Sequence, residues 1–126
     1  MIRKIALIIT AALFAGCASV KTGTVVLAVD SSACTCVKNR CVNMETEMKK
    51  FMAVNNYQGV IVLDVYDKAK NSETVKVMDK YKMGYFPYLV FTDKTGAVIY
   101  SASASEFNKG ALNEVIKKAI AAEEVK

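Results

Sequence analysis

The stretch YKMGYFPYLVFTDKTGAVIY, residues 81–100, holds the only proline of the chain and two short apolar runs on either side of a glycine turn. Lys82-Met83-Gly84 closes whatever helix precedes it, and Pro87, which lacks an N–H, opens the run Tyr88 to Phe91 (YLVF). Asp93-Lys94-Thr95-Gly96 is a turn leading into Ala97 to Tyr100 (AVIY). Strands joined this tightly pair as an antiparallel hairpin.

Outside this hairpin the pattern alternates. Thr24 to Val29 (TVVLAV) and Val60 to Val65 (VIVLDV) are nearly continuous β-branched runs, as expected of strands buried on both faces of a sheet. Between them Cys41, Met44, Met48, Phe51 and Met52 recur at helical spacing, which predicts a helix continuing through Tyr57 and ended by Gly59. Ser72 is expected to cap a second helix carrying Val75, Met78 and Tyr81 on one face. Leu112, Val115, Ile116, Ala119 and Ile120 mark a third. The order is then β-α-β-α-β-β-α, an α/β fold with a mixed four-stranded sheet and helices on both faces. The first two crossovers are expected to be parallel and right-handed. With 126 residues, 53% of them hydrophobic, the chain suits one domain with a single core and shows no internal repeat.

This order, with cysteines between the first strand and first helix and a lone proline opening the third strand, resembles the thioredoxin fold over about Thr24 to Ala122. Residues 81–100 carry the most specific part of the likeness: tyrosine, glycine, apolar-proline, buried strand, glycine turn and fourth strand. The resemblance implies that Phe86-Pro87 is a cis peptide facing Cys34, Cys36 and Cys41. It also implies that Cys41-Val-Asn-Met-Glu takes the place of the family's second cysteine and the residues after it. The departures are equally definite. The chain has no Trp and no Cys-x-x-Cys, the family's first cysteine would fall near Lys38, and Asp30 is the nearest candidate for its buried acid.

SSACTCVKNRC, residues 31–41, therefore concentrates the chemistry in a CxCxxxxC loop. A thiolate is the nucleophile in disulfide exchange, and the unpaired N–H groups of a helix N-terminus favour negative charge, as do the neighbouring Lys38 and Arg40. On a redox reading, an exposed Cys34 or Cys36 forms a mixed disulfide that Cys41 resolves, opposite Pro87. On a metal reading, Cys34, Cys36 and Cys41 hold a soft ion such as Cu(I) or Zn(II), with Met44 as a weak fourth ligand. A disulfide that only staples the loop is the third possibility, and it leaves one thiol idle. With no His in the chain there is no Ser-His-Asp, Cys-His or HExxH site, and no Gly-rich loop offers a phosphate cradle. No cofactor is expected.

The N-terminus predicts export. MIRKIALIITAALFAGC has a basic start, an apolar core from Ile5 to Phe14 and a small-residue end at Ala15-Gly16-Cys17. That end resembles a bacterial lipobox, with Phe14 where Leu is usual. The resemblance implies a signal peptide over 1–16 cleaved before Cys17, Cys17 as the lipid anchor, a tether over 17–23 and the thioredoxin-like domain over 24–126. The formal charge of +5 falls to +3 without Arg3 and Lys4. The other lysines, such as Lys49, Lys76, Lys80 and Lys117, sit beside carboxylates at helical spacing, so no nucleic-acid partner is expected. The expected setting is the bacterial cell envelope, lipid-anchored and extracytoplasmic. There disulfides persist, and the partners are protein thiols or disulfides, an upstream electron donor, and the membrane through the N-terminal lipid.

Overall fold

The computed structural model describes residues 21–125; the expected signal peptide 1–16, the expected lipid site Cys17 and the expected tether as far as Val20 lie outside the described residues. The elements follow the order β1 (Gly23–Val29), α1 (Thr35–Val54), β2 (Ile61–Asp67), α2 (Thr74–Tyr81), β3 (Tyr88–Asp93), β4 (Val98–Ser103) and α3 (Lys109–Val125).

The sheet order is β2-β1-β3-β4, which places β1 in the interior. Val25, Leu27 and Ala28 are fully buried, as the unbroken apolar run of β1 requires. β1 pairs with β2 in parallel, Gly23 opposite Ile61 through Val29 opposite Asp67. With β3 it pairs antiparallel, so the expectation of two parallel crossovers holds only for the first. The reason lies in the second connection. Its helix has only eight residues and rises about 12 Å. The flanking loops return the chain to the end of the sheet it left, where Tyr88 pairs with Ala28. β4 then completes the hairpin, with an irregularity between Phe91 and Thr92 that leaves Ile99 unpaired between Val98 and Tyr100.

Both faces are covered. α1 and α3 pack Cys41, Met44, Met48, Leu112 and Ile116 against Val25, Leu27, Leu89 and Phe91. On the opposite face, Val77, Met78 and Tyr81 of α2 and Met83 cover Val26, Ala28 and Val90. The phase of α2 differs from expectation, since Thr74 is fully buried and Val75 is 52% exposed. Nor does Ser72 cap it. Its N-cap is Glu73, with no side-chain capping bond, and Asn71 fixes the preceding turn by accepting the Glu73 N–H on Oδ1 at 2.9 Å.

The helix ends are set by left-handed residues followed by buried apolar ones. α1 stops at Val54, three residues short of the expected Tyr57, because Asn56 turns left-handed (φ 57°). Tyr57 then donates back to the Met52 carbonyl at 2.9 Å. Lys82 (φ 56°) and buried Met83 repeat the device after α2, so the expected Lys82-Met83-Gly84 close turns at Lys82.

Gly23 is the one glycine imposed by close approach. A Cβ there would lie 2.4 Å from the Thr92 carbonyl oxygen and 2.8 Å from the Phe91 ring. Thr22 already donates to the Val60 carbonyl at 2.8 Å, so the folded domain begins just before the expected Thr24.

Candidate functional site

β1 delivers the chain into a polar turn, residues 30–33, at the carboxyl end of the sheet. Asp30 accepts the Ser32 N–H at 3.0 Å and the Ser32 hydroxyl at 2.6 Å. Asp67, at the end of β2, accepts the N–H of Ser31 and of Ala69, each at 3.0 Å. Partial burial pushes the Asp67 carboxyl up, but the Ser31 and Ala69 donors and Lys70 outweigh it and hold the group below its usual range. Two carboxylates thus fix the turn that launches α1.

Cys34 is the N-cap of α1, with φ −59° and ψ 158°, and its side chain makes no capping hydrogen bond. The first backbone bond of the helix runs from the Lys38 N–H to the Cys34 carbonyl at 2.9 Å, which leaves the N–H groups of Thr35 to Val37 as free donors around the thiols. The first turn carries no acidic residue. Cys34 and Cys36 are exposed and unbonded.

Cys41 is different. The cysteine segment expected as a loop is helical from Thr35, so Cys41 is the seventh residue of α1 and lies about two turns from the helix start. It is buried among the core side chains. Burial pushes its thiol up, with Asp30, Asp67 and Glu45 adding to the effect and a backbone bond from Asp30 opposing it. Burial and this upward shift both disfavour its thiolate.

Helical geometry decides which thiols can meet. Cys34 and Cys36 have Cα atoms about 5.4 Å apart, inside the Cα range that a disulfide spans; on an ideal helix their side chains would point some 160° apart, so closing the bridge depends on Cys34 standing outside the helix as its N-cap. Cys36 and Cys41 are about 8.6 Å apart and some 140° apart around the helix, beyond that range unless backbone moves. The same winding disperses the three thiols, and among the described residues no three Cys, Asp or Glu side chains converge as a metal site needs. Met44 is buried in the core beneath Cys41. The metal reading finds no support in this arrangement.

The Phe86–Pro87 peptide is cis. Pro87 borders a groove of about 940 Å³ whose other walls are Ala33, Val37 and Arg40 of the α1 start, Tyr85 and Phe86, and the turn 103–106. The cysteines do not line it. The helix face opposite Pro87 is Val37 and Arg40, with Cys34 and Cys36 opening to solvent on the same first turn. Arg40 was legible as a charge beside the thiols, but nothing in the sequence placed Val37 and Arg40 opposite Pro87 or tied Asp67 to the cysteine turn.

Among solved structures, the chain superposes on a thioredoxin-2 described as a component of the malaria parasite protein secretion machinery. The TM-score is 0.57 at 20% identity, over 77% of this chain and 82% of the other. It also superposes on a DsbH oxidoreductase, with a TM-score of 0.50 at 20% identity, over 79% of this chain and 72% of the other. The fold is thioredoxin-like. No protein-family model matches the sequence, and no curated protein matches it. Cys34 stands at the start of α1, four residues before Lys38, and Cys41 is buried in the core about two turns further on.

Proposed function

We propose that the protein is a thiol-disulfide oxidoreductase whose redox pair is Cys34 and Cys36, presented beside the Pro87 groove. The observation that carries this reading is two exposed thiols one residue apart at the start of the helix following β1 in a thioredoxin-like fold. The thiolate of one cysteine attacks a disulfide sulfur of the substrate. A mixed disulfide forms as one substrate thiolate leaves and takes up a proton. The second cysteine, deprotonated, attacks the mixed disulfide, closing Cys34–Cys36 and releasing the second substrate thiol. Two electrons pass to the substrate, and the reverse sequence oxidises a dithiol. The free N–H groups of Thr35 to Val37 and the cations of Lys38 and Arg40 favour the thiolates formed at each step. The groove gives an extended substrate backbone a place to lie against Pro87, between Val37 and Tyr85.

The exported, lipid-anchored setting belongs to the same reading. Cleavage before Cys17 and acylation of Cys17 would hold the domain at the bacterial cell envelope, outside the cytoplasm, with protein disulfides or a reductant of the envelope as partners. The test is turnover of a disulfide-bonded reporter peptide by the detergent-solubilised full chain. Cys34→Ser with Cys36→Ser abolishes it. Turnover surviving in that double variant would refute the assignment.

A further inference from the structure

The two ends of the sheet differ in what they carry, and the chain enters at only one of them. Lys21 and Thr22 lead into β1 at the end where Gly23 pairs with Ile61 and Asp93. The Asp93–Ala97 turn, the close of α1 and Glu123 of α3, paired with Lys94, are at that same end. Cys34 and Cys36 follow the other end of β1, beyond the six steps from Gly23 to Val29, about 20 Å away.

Between Cys17 and Lys21 there are only four peptide links. Even fully extended they reach about 14 Å, whatever their conformation. If Cys17 carries the lipid, the Lys21 end of the domain stays against the bilayer surface. That end exposes apolar side chains. Val54, the last residue of α1, is 74% exposed, and Val98, which opens β4, is 46% exposed. Lys21 donates to the Gly59 carbonyl at 3.1 Å and keeps its charge, while Lys94 is paired with Glu123 and Asp93 closes β3 at the same end.

We propose that this end of the domain, with Val54 and Val98 at its rim, is a membrane-resting surface that holds Cys34 and Cys36 on the side facing away from the bilayer. The proposal rests on the lipid-anchor reading of Cys17. It makes the substrate class more specific: soluble proteins or the water-facing domains of membrane proteins, not disulfides at the lipid surface. The proposed contact is insertion of the apolar rim rather than attraction to anionic lipid.

The absence of Trp supplies a clean probe. Val54→Trp and Tyr85→Trp, the second placed beside the Pro87 groove, each give the full-length membrane-bound protein one indole. Both positions are exposed, so the fold tolerates the change. In phosphatidylcholine vesicles containing lipid brominated near the headgroup, the indole at 54 is expected to be quenched several times more strongly than the indole at 85, and adding anionic lipid changes this little. Equal quenching, or stronger quenching at 85, overturns the orientation. Intact mass separates the two ways of failing: a protein without acyl chains on Cys17 removes the anchor and the proposal with it, whereas an acylated protein quenched at 85 refutes the surface alone.

Discussion

Replacing Cys41 separates the pairing argued here from one in which the buried thiol resolves the mixed disulfide. For Cys41 to meet Cys36, the first turns of α1 must unwind. That breaks the bond from Lys38 to Cys34 at 2.9 Å and those that follow it from Asn39, Arg40 and Cys41, about four in all. At roughly 0.5–1 kcal/mol net for each bond, the unwound state lies about 2–4 kcal/mol above the helix and is populated between about one part in thirty and one in a thousand. Cys41→Ala therefore leaves resolution of the mixed disulfide at the parent rate, although loss of a buried side chain lowers stability by about 1 kcal/mol. Cys36→Ala, which leaves only the distant Cys41, slows resolution by about 30-fold to 1,000-fold. The assay mixes reduced protein with a disulfide-bonded peptide, quenches with acid at intervals and follows the mixed disulfide by intact mass, with circular dichroism to confirm that both variants are folded. Mixed disulfide accumulating in Cys41→Ala while Cys36→Ala resolves at the parent rate would refute the reasoning.

Alkylation of the folded chain with iodoacetamide at pH 8 should label Cys34 and Cys36 readily, and Cys41 only after denaturant is added; peptide mapping that finds Cys41 labelled as fast as the others would contradict its burial. Gly23→Ala should cost about 1–3 kcal/mol, because the added Cβ meets the Thr92 carbonyl at 2.4 Å where neither neighbour is free to move, and an unchanged thermal midpoint would show that the strand can shift. Asp67 and Asp93 both have carboxyls held below their usual range, Asp67 by the donors that outweigh its partial burial and Asp93 chiefly by the Thr95 hydroxyl. A group whose folded-state value is depressed stabilises the fold above its unfolded value near 4 and loses that contribution as pH falls through the folded value. Urea midpoints should therefore drop below about pH 4, and Asp67→Asn should flatten the fall; a variant profile as steep as the parent's would argue against it.

Much of this architecture is legible in local pattern. TVVLAV could only be an interior strand, and residues 81–100 contain the turn, the hairpin and the proline that flank the groove. The helix-face residues Met44, Met48, Phe51 and Met52 are all buried as their spacing demands. What the pattern missed depends on contacts between distant segments. The direction of β3 follows from the length of α2 and its loops, a property that no apolar run encodes. Gly23 reads as a tether residue until Phe91 and Thr92 are packed against it. At the site, the helical spacing of apolar residues begins only at Cys41, so SSACTCVKNRC was expected as a loop. Yet the carboxylates of Asp30 and Asp67 fix the turn early enough for the helix to begin at Thr35, and winding then carries Cys41 into the core. Asp67 lies 36 residues from its partner Ser31, which is why only the folded chain reveals it.

The most direct test of the redox pair is a titration of the purified protein through defined glutathione potentials, quenched by alkylation and read by peptide mapping. The account predicts one reversible two-electron transition that closes Cys34 to Cys36 and leaves Cys41 a thiol throughout. A bridge from Cys36 to Cys41, or the absence of any reversible disulfide, would contradict it.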